Sequence, residues 1–308
     1  MREERDGRSS TANHSDAESA AGDMTTDIFV RLLGRPDVVL SGGTVLPLRG
    51  ASRSLLALLA LNPDKPVRRD LVVDQLWNET SVEAGRKMLR TALWRLGRGL
   101  GIGEALICDR EWICLQPNSR LTCDIWQVER TYAGAATDEA GRDITVLSAA
   151  AALYRGDFLE DVDETWCLIP RERYRLMYMT LLEWLVERHV HAREYANAVL
   201  RCQELLIVDR ADEWAYRQLM RALHLSGNRT AALRQYDVCR QALLDELGVS
   251  PSRATDAIVE RIQSDSAESP DRELAEVAAH VGSTSTPWLI ELRGALVEAI
   301  HRLDADLG

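Results

Sequence analysis

The sequence predicts a mixed, mainly α fold in two parts. The first is an N-terminal winged helix-turn-helix with a small β-sheet and a wing hairpin, and the second is an all-α, TPR-like helical repeat domain. Three observations predict it. Short β-rich runs, three helical stretches and a hairpin pattern follow one another between residues 27 and 115. Residues 185–239 repeat with a period of 34, the spacing of tetratricopeptide helix pairs. The charge also changes sign between the parts. Residues 26–118 hold 13 Lys and Arg against 10 Asp and Glu, net +3, whereas residues 121–265 hold 17 against 24, net −7. An overall net charge of −11 thus conceals a local basic module joined to an acidic one.

The elements follow in order. IFVRLLG, VVL and TVLPL, from Ile28 onward, read as short antiparallel strands broken by Gly34-Arg35-Pro36 and Ser41-Gly42-Gly43. Ala51 to Leu61 is a strong helix that stops before Asn62-Pro63-Asp64, because proline disfavours helix in the residue before it. Val67 to Trp77 reads as a second, short helix with Leu71, Val72, Leu76 and Trp77 on its core side. Thr80 to Arg98 is the third helix, with Thr80 and Glu83 spaced as a capping box. At about 100° per residue, Gly85, Leu89, Ala92 and Leu96 form an apolar stripe widened by Met88 and Leu93. Lys87, Arg90, Thr91, Trp94 and Arg98 fall on the opposite face, flanked by Arg86 and Arg95. Alone, this helix reads equally as a solvated surface helix. Its place as third helix before a hairpin (105–109 and 112–115 around Arg110-Glu111) makes it the helix that enters a major groove. Arg110 then sits at the wing tip, within reach of a phosphate or the minor groove, and Arg68 and Arg69 join Arg86 and Arg95 on flanking phosphates. Trp94 either touches a thymine methyl or sugar or packs under the wing or against the second module, and the second reading is the stronger.

In the repeat, Leu185 pairs with Leu219, Glu194 with Asn228, Ala198 with Ala232, Val199 with Leu233 and Cys202 with Tyr236. An earlier, weaker pair spans Asp124–Thr137 and Arg142–Tyr154, and a capping helix follows Pro251, from Ser252 to Gln263. Residues 1–25 are polar and charged and read as a disordered tail. Residues 266–308 form a C-terminal extension whose last helix aligns Leu289, Leu292, Leu296, Ala299, Ile300 and Leu303, for docking on its own repeat domain or for dimerisation.

Several features read as structural. Gly97-x-Gly99-x-Gly101-x-Gly103 follows a helix instead of a strand and fits no phosphate loop. His189 and His191 lack carboxylate or thiolate companions at ligand spacing. The acidic run from Asp157 to Glu164 lacks the alternating ligands of a calcium loop and reads as a solvated connection. Cys108 and Cys114 lie in one hairpin, but the six cysteines make no CxxC pair and read as reduced thiols. Trp77, Trp184 and Trp214 read as core. No catalytic constellation, cofactor site or metal site stands out, and no run approaches the ~18 apolar residues of a membrane span. A cytoplasmic non-enzyme without signal peptide is expected.

The run from FVRLLG through SRSLLALLALNPDKPVRRDLVVDQLW to MLRTALWRLGRGLG resembles the OmpR/PhoB-type winged helix of the Streptomyces antibiotic regulatory protein (SARP) family. The matching residues are Arg53, Leu55 to Leu61, Pro63, Val67, Arg69, Asp70, Leu71, Leu76 and Trp77. AAALYRGDFLED, SGNRTAALRQYDVCRQALLDELGVSP and an Asp124-to-Glu129 entry, one residue longer than usual, resemble the family's bacterial transcriptional activator domain. Two departures stand out. Gly97 occupies a position that is usually arginine and so removes a phosphate contact, and Glu111-Trp112 replaces a frequent Gly-Tyr and alters the wing. The resemblance, which covers about residues 27–265, implies an activator that binds direct repeats in promoter DNA near the −35 element and recruits RNA polymerase holoenzyme. It also implies control of a secondary-metabolite or other pathway gene cluster. Homodimerisation on DNA and a small-molecule effector stay open. So do two alternatives: a ligand-gated regulator, and an interaction adaptor whose winged helix binds no DNA.

Overall fold

The structure, a computed structural model, describes residues 27–118, 120–137 and 142–264. The expectations for the N-terminal tail and the 266–308 extension lie outside the described residues. The fold is mainly helical with small sheets near the N-terminus.

Strands β1 (Ile28–Arg31), β2 (Asp37–Leu40) and β3 (Val45–Pro47) form an antiparallel meander, with Phe29 opposite Val39 and Val38 opposite Leu46. Helix α1 (Gly50–Ala60) follows and is buried along most of its length. Val67–Trp77 is not one helix. Val67–Arg68 form a short strand, β4, and α2 begins at Arg69 and ends at Trp77. The reason lies outside the segment: Val67 and Arg68 pair with Ile113 and Trp112, and the Arg69 amide donates to the Glu111 carbonyl at 2.8 Å. A distant partner for these backbone groups outweighs local helix propensity. Helix α3 (Val82–Trp94) comes next and continues through one wide, π-type turn over Arg95–Gly99. Strands β5 (Leu106–Cys108) and β6 (Trp112–Leu115) then complete a second sheet of order β4-β6-β5. Cys108 pairs with Ile113 and Ile107 with Cys114, so the two hairpin cysteines face opposite sides of the sheet, Cys108 exposed and Cys114 buried.

Strand β7 (Leu121–Cys123) leads into the helical part yet joins the first sheet, parallel to β1, in the order β3-β2-β1-β7. Helices α4 (Asp124–Thr137), α5 (Ile144–Ala151), α6 (Leu168–His191), α7 (Tyr195–Val208), α8 (Glu213–Leu225), α9 (Arg229–Leu247) and α10 (Arg253–Ser264) follow. Asp143, Asp212 and Asn228 cap α5, α8 and α9 by accepting amide hydrogens from the second or third residue of each helix. The 34-residue register is visible in packing. Leu185, Leu219, Ala198 and Ala232 are all buried, and Glu194 and Asn228 stand at equivalent helix starts. Trp184 is buried, while Trp77 and Trp214 are half-buried against the same core.

The turns of the repeat also correspond. Arg193 (φ 58°) occupies the left-handed position that Gly227 (φ 82°) takes one repeat later. Apart from its chain neighbours, nothing among the described residues lies within 4 Å of the position a Gly227 Cβ would take, so a side chain there meets backbone strain. Gly227→Ala is expected to lower stability by about 1 kcal/mol in urea denaturation, and an unchanged midpoint would show that this turn relaxes freely.

One continuous apolar core runs from β1, α1 and α3 into α4, α6, α7 and α8. Asp124 anchors the junction. Its carboxylate is 1% exposed. Oδ2 accepts from the Leu32 and Leu33 amides at 2.8 and 2.9 Å, and Oδ1 accepts from Ile125 at 2.8 Å. Burial raises its carboxyl above the usual range, against the pull of these three donors. The acidic run connects α5 to α6 with Glu160, Asp161 and Asp163 exposed, as expected, and in addition joins the same junction. The Gly34 amide donates to the Asp157 carbonyl and the Leu159 amide to the Leu32 carbonyl, both at 2.9 Å, and Arg53 pairs with Asp161 at 3.0 Å. Gly34 (φ 90°) is needed here on two counts, since a Cβ would meet the Arg155 backbone at 3.3 Å. Trp126 Nε1 adds a hydrogen bond to the Ala60 carbonyl at 2.7 Å.

Candidate nucleic-acid interface

Helix α3 starts on Ser81, whose Oγ accepts from the Ala84 amide at 3.3 Å. Thr80, the cap expected from the sequence, instead donates its hydroxyl to the Trp77 carbonyl at 2.8 Å. This ties the end of α2 to the start of α3. The close crossing of these helices depends on Gly85, where a Cβ would fall 2.5 Å from Val73 Cγ1. Gly85, Leu89, Ala92 and Leu96 are buried as the periodicity predicts. Leu93 is half-buried, but Met88 is exposed and does not widen the stripe.

The opposite face is open. Arg86, Lys87, Arg90, Thr91, Trp94, Arg95 and Arg98 are all exposed. Trp94 is 64% exposed, contrary to the expectation that it packs under a wing or against the second module. The Thr91 hydroxyl donates back to the Lys87 carbonyl at 3.0 Å, which leaves its oxygen as an acceptor. Arg86 is held by Asp70 of α2 at 3.0 Å, with both side chains more than half exposed. Such a pair contributes little to stability and yields readily to a phosphate.

The β5–β6 hairpin is built around Asp109. Its Oδ1 accepts the Glu111 and Trp112 amides at 2.7 and 2.6 Å, and these two bonds hold its carboxyl below the usual carboxylate range. The Asp-x-Glu-Trp turn leaves Arg110 exposed at the tip. Arg68 is exposed on β4 beside Trp112, but Arg69 is not aimed outward with it. The Arg69 guanidinium lies against the Cys108 thiol and the Asp109 carboxylate. Its Nε is buried without a hydrogen-bond partner among the described residues. Although Cys108 is exposed as a residue, local desolvation raises its thiol above the ordinary range, and Arg69 only partly opposes this. The structure therefore brings Lys87, Arg90, Thr91, Trp94 and Arg98 onto one face, with Arg95 at its side, Arg86 tied to Asp70, Arg110 and Arg68 on the wing sheet, and Arg69 turned inward. Sequence reasoning missed the Asp109 turn and the Ser81 cap, although both are residues that commonly hold such positions.

Among the described residues no cluster of His, Cys, Asp and Glu suits a metal ion, and no helix is long and apolar enough to cross a membrane.

Residues 123–263 match the bacterial transcriptional activator domain family. The chain is 28% identical over 247 residues to the transcriptional regulatory protein EmbR of Mycobacterium tuberculosis, covering 75% of this chain and 62% of EmbR. It is 27% identical over 242 residues to the regulatory protein AfsR of Streptomyces coelicolor, covering 77% of this chain and 24% of AfsR. Against the regulatory protein DnrI of Streptomyces peucetius it is 27% identical over 240 residues, 72% of this chain and 87% of DnrI. The chain is thus similar to transcriptional regulators of the SARP type. It spans less than two thirds of EmbR and about a quarter of AfsR. The structure of "Mycobacterium tuberculosis EmbR in complex with low affinity phosphopeptide" shares its fold, with a TM-score of 0.65 and 23% identity, over 83% of this chain and 70% of that one.

Proposed function

We propose that residues 26–118 act as a winged helix that binds duplex promoter DNA, with α3 in the major groove and the β5–β6 hairpin as wing. The observation that carries this is the single outward face of α3. Its back is sealed on the core while Lys87, Arg90, Thr91, Trp94 and Arg98 are all exposed. A cationic helix face beside a hairpin tipped with arginine suits a polyanionic duplex. Residues 121–265 form the TPR-like module that contacts a second protomer, RNA polymerase holoenzyme or both, in the cytoplasm. The resemblance to the SARP family supports side-by-side binding on direct repeats near the −35 element and control of a secondary-metabolite cluster.

The test is affinity for the region upstream of the chain's own gene, measured by fluorescence anisotropy across a salt series. Changing Lys87, Arg90 and Arg98 together to Ala is expected to weaken binding at least tenfold. For every phosphate that the variant no longer neutralises, the log–log salt slope should fall by about 0.9. Unaltered affinity and slope would falsify the assignment of these three residues.

A further inference from the structure

The outward face of α3 has an apolar centre. Trp94 is the last residue of the helix and is 64% exposed. Its neighbours on the face are Lys87, Arg90 and Thr91, seven, four and three residues before it, and Arg98, four after it. All are exposed. The buried stripe of Gly85, Leu89, Ala92 and Leu96 lies directly behind. Trp94 therefore points away from the core at the centre of this face, together with Lys87 seven residues before it, with Arg86 and Arg95 on the two flanks. In a helix lying in a groove, flanking positions meet the sugar–phosphate walls and the central position meets base edges.

An indole offers a broad apolar ring and a single polar atom, a donor. It has no acceptor for the amino groups that adenine and cytosine present in the major groove. Thymine presents a methyl group beside an acceptor oxygen, O4, and so matches both the ring and the Nε1–H. The surrounding cations favour a polyanion over an apolar protein pocket. We propose that Trp94 is a specificity-determining residue that reads a thymine in each half-site, with its ring against the C5-methyl. This rests on the DNA-binding reading above and names what the centre of that face recognises.

The probe is a duplex selected by the full chain from a randomised library, with each thymine in turn replaced by deoxyuridine, which lacks only the methyl. One thymine position per half-site is expected to show about fourfold weaker binding when replaced, the value of one buried carbon group. Trp94→Ala should bind the thymine and deoxyuridine duplexes equally at that position. Its thermal midpoint should match the parent's, since the side chain is exposed. If no replacement weakens binding by the parent chain, or if Trp94→Ala keeps the same deoxyuridine penalty, the proposal for Trp94 is overturned while DNA binding stands. If the full chain selects no duplex at all, the DNA-binding reading falls and the proposal with it.

Discussion

Asp124→Ala is expected to lower stability by about 3–5 kcal/mol and to separate unfolding of the two modules. The substitution leaves the Leu32, Leu33 and Ile125 amides without the carboxylate that now accepts all three. Each orphaned buried donor costs about 1–3 kcal/mol. Leu32 and Leu33 are fully buried, so water reaches those amides poorly. Asp124→Asn retains one acceptor oxygen and should fall between. Urea denaturation followed by circular dichroism gives the loss, and limited proteolysis between residues 116 and 123 reports the loosened junction. A loss below about 1 kcal/mol with unchanged proteolysis would show that the surrounding apolar core alone holds the modules together.

Raising the pH should weaken the fold through Glu183. This residue lies on α6, facing Asp212 at the start of α8 and Glu187 one turn along its own helix. Burial, reinforced by these two carboxylates, pushes its carboxyl up to about 8. Glu187 is itself paired with Arg142 at 3.7 Å, and Arg142 lies over the Trp184 ring at 4.8 Å. Asp212 is occupied in capping α8. In the unfolded chain Glu183 titrates near its ordinary value of 4.5. Between these values the folded protein keeps a proton that the unfolded chain has released. The contribution is complete below about 4.5 and is lost as pH rises toward 8, at about 1.4 kcal/mol per pH unit. Glu183→Gln mimics the protonated form at every pH. It should be more stable than the parent by on the order of 3 kcal/mol at pH 8, with little difference at pH 4. Parallel stability–pH curves for the two proteins would remove Glu183 as the cause.

Much of this was legible locally. The stripe of Gly85, Leu89, Ala92 and Leu96 is buried because helical periodicity places these residues on one side whatever they pack against. The equivalence of Ala198 with Ala232, both fully buried, follows from a period that repeats the same helix pair. The Arg110 hairpin and most helix bounds are likewise written in turn residues and caps.

Other features required partners far away in the chain. Val67 and Arg68 become strand because β6 supplies their hydrogen bonds from some 45 residues on. The direction of Arg69 depends on where the wing lies. Trp94, expected to be covered, is exposed, and its cover could only have come from elements distant in the chain. The acidic run from Asp157 to Glu164 gains its role only when it meets Gly34, Leu32 and Arg53. By itself the sequence determined most of the helices, the buried stripe of α3 and its cationic side, since these follow from local periodicity. The tertiary structure alone decided that β7, Asp124 and the acidic run join two differently charged modules through one core. Hydrogen-bond pairing across about 90 residues leaves no periodic trace in the chain.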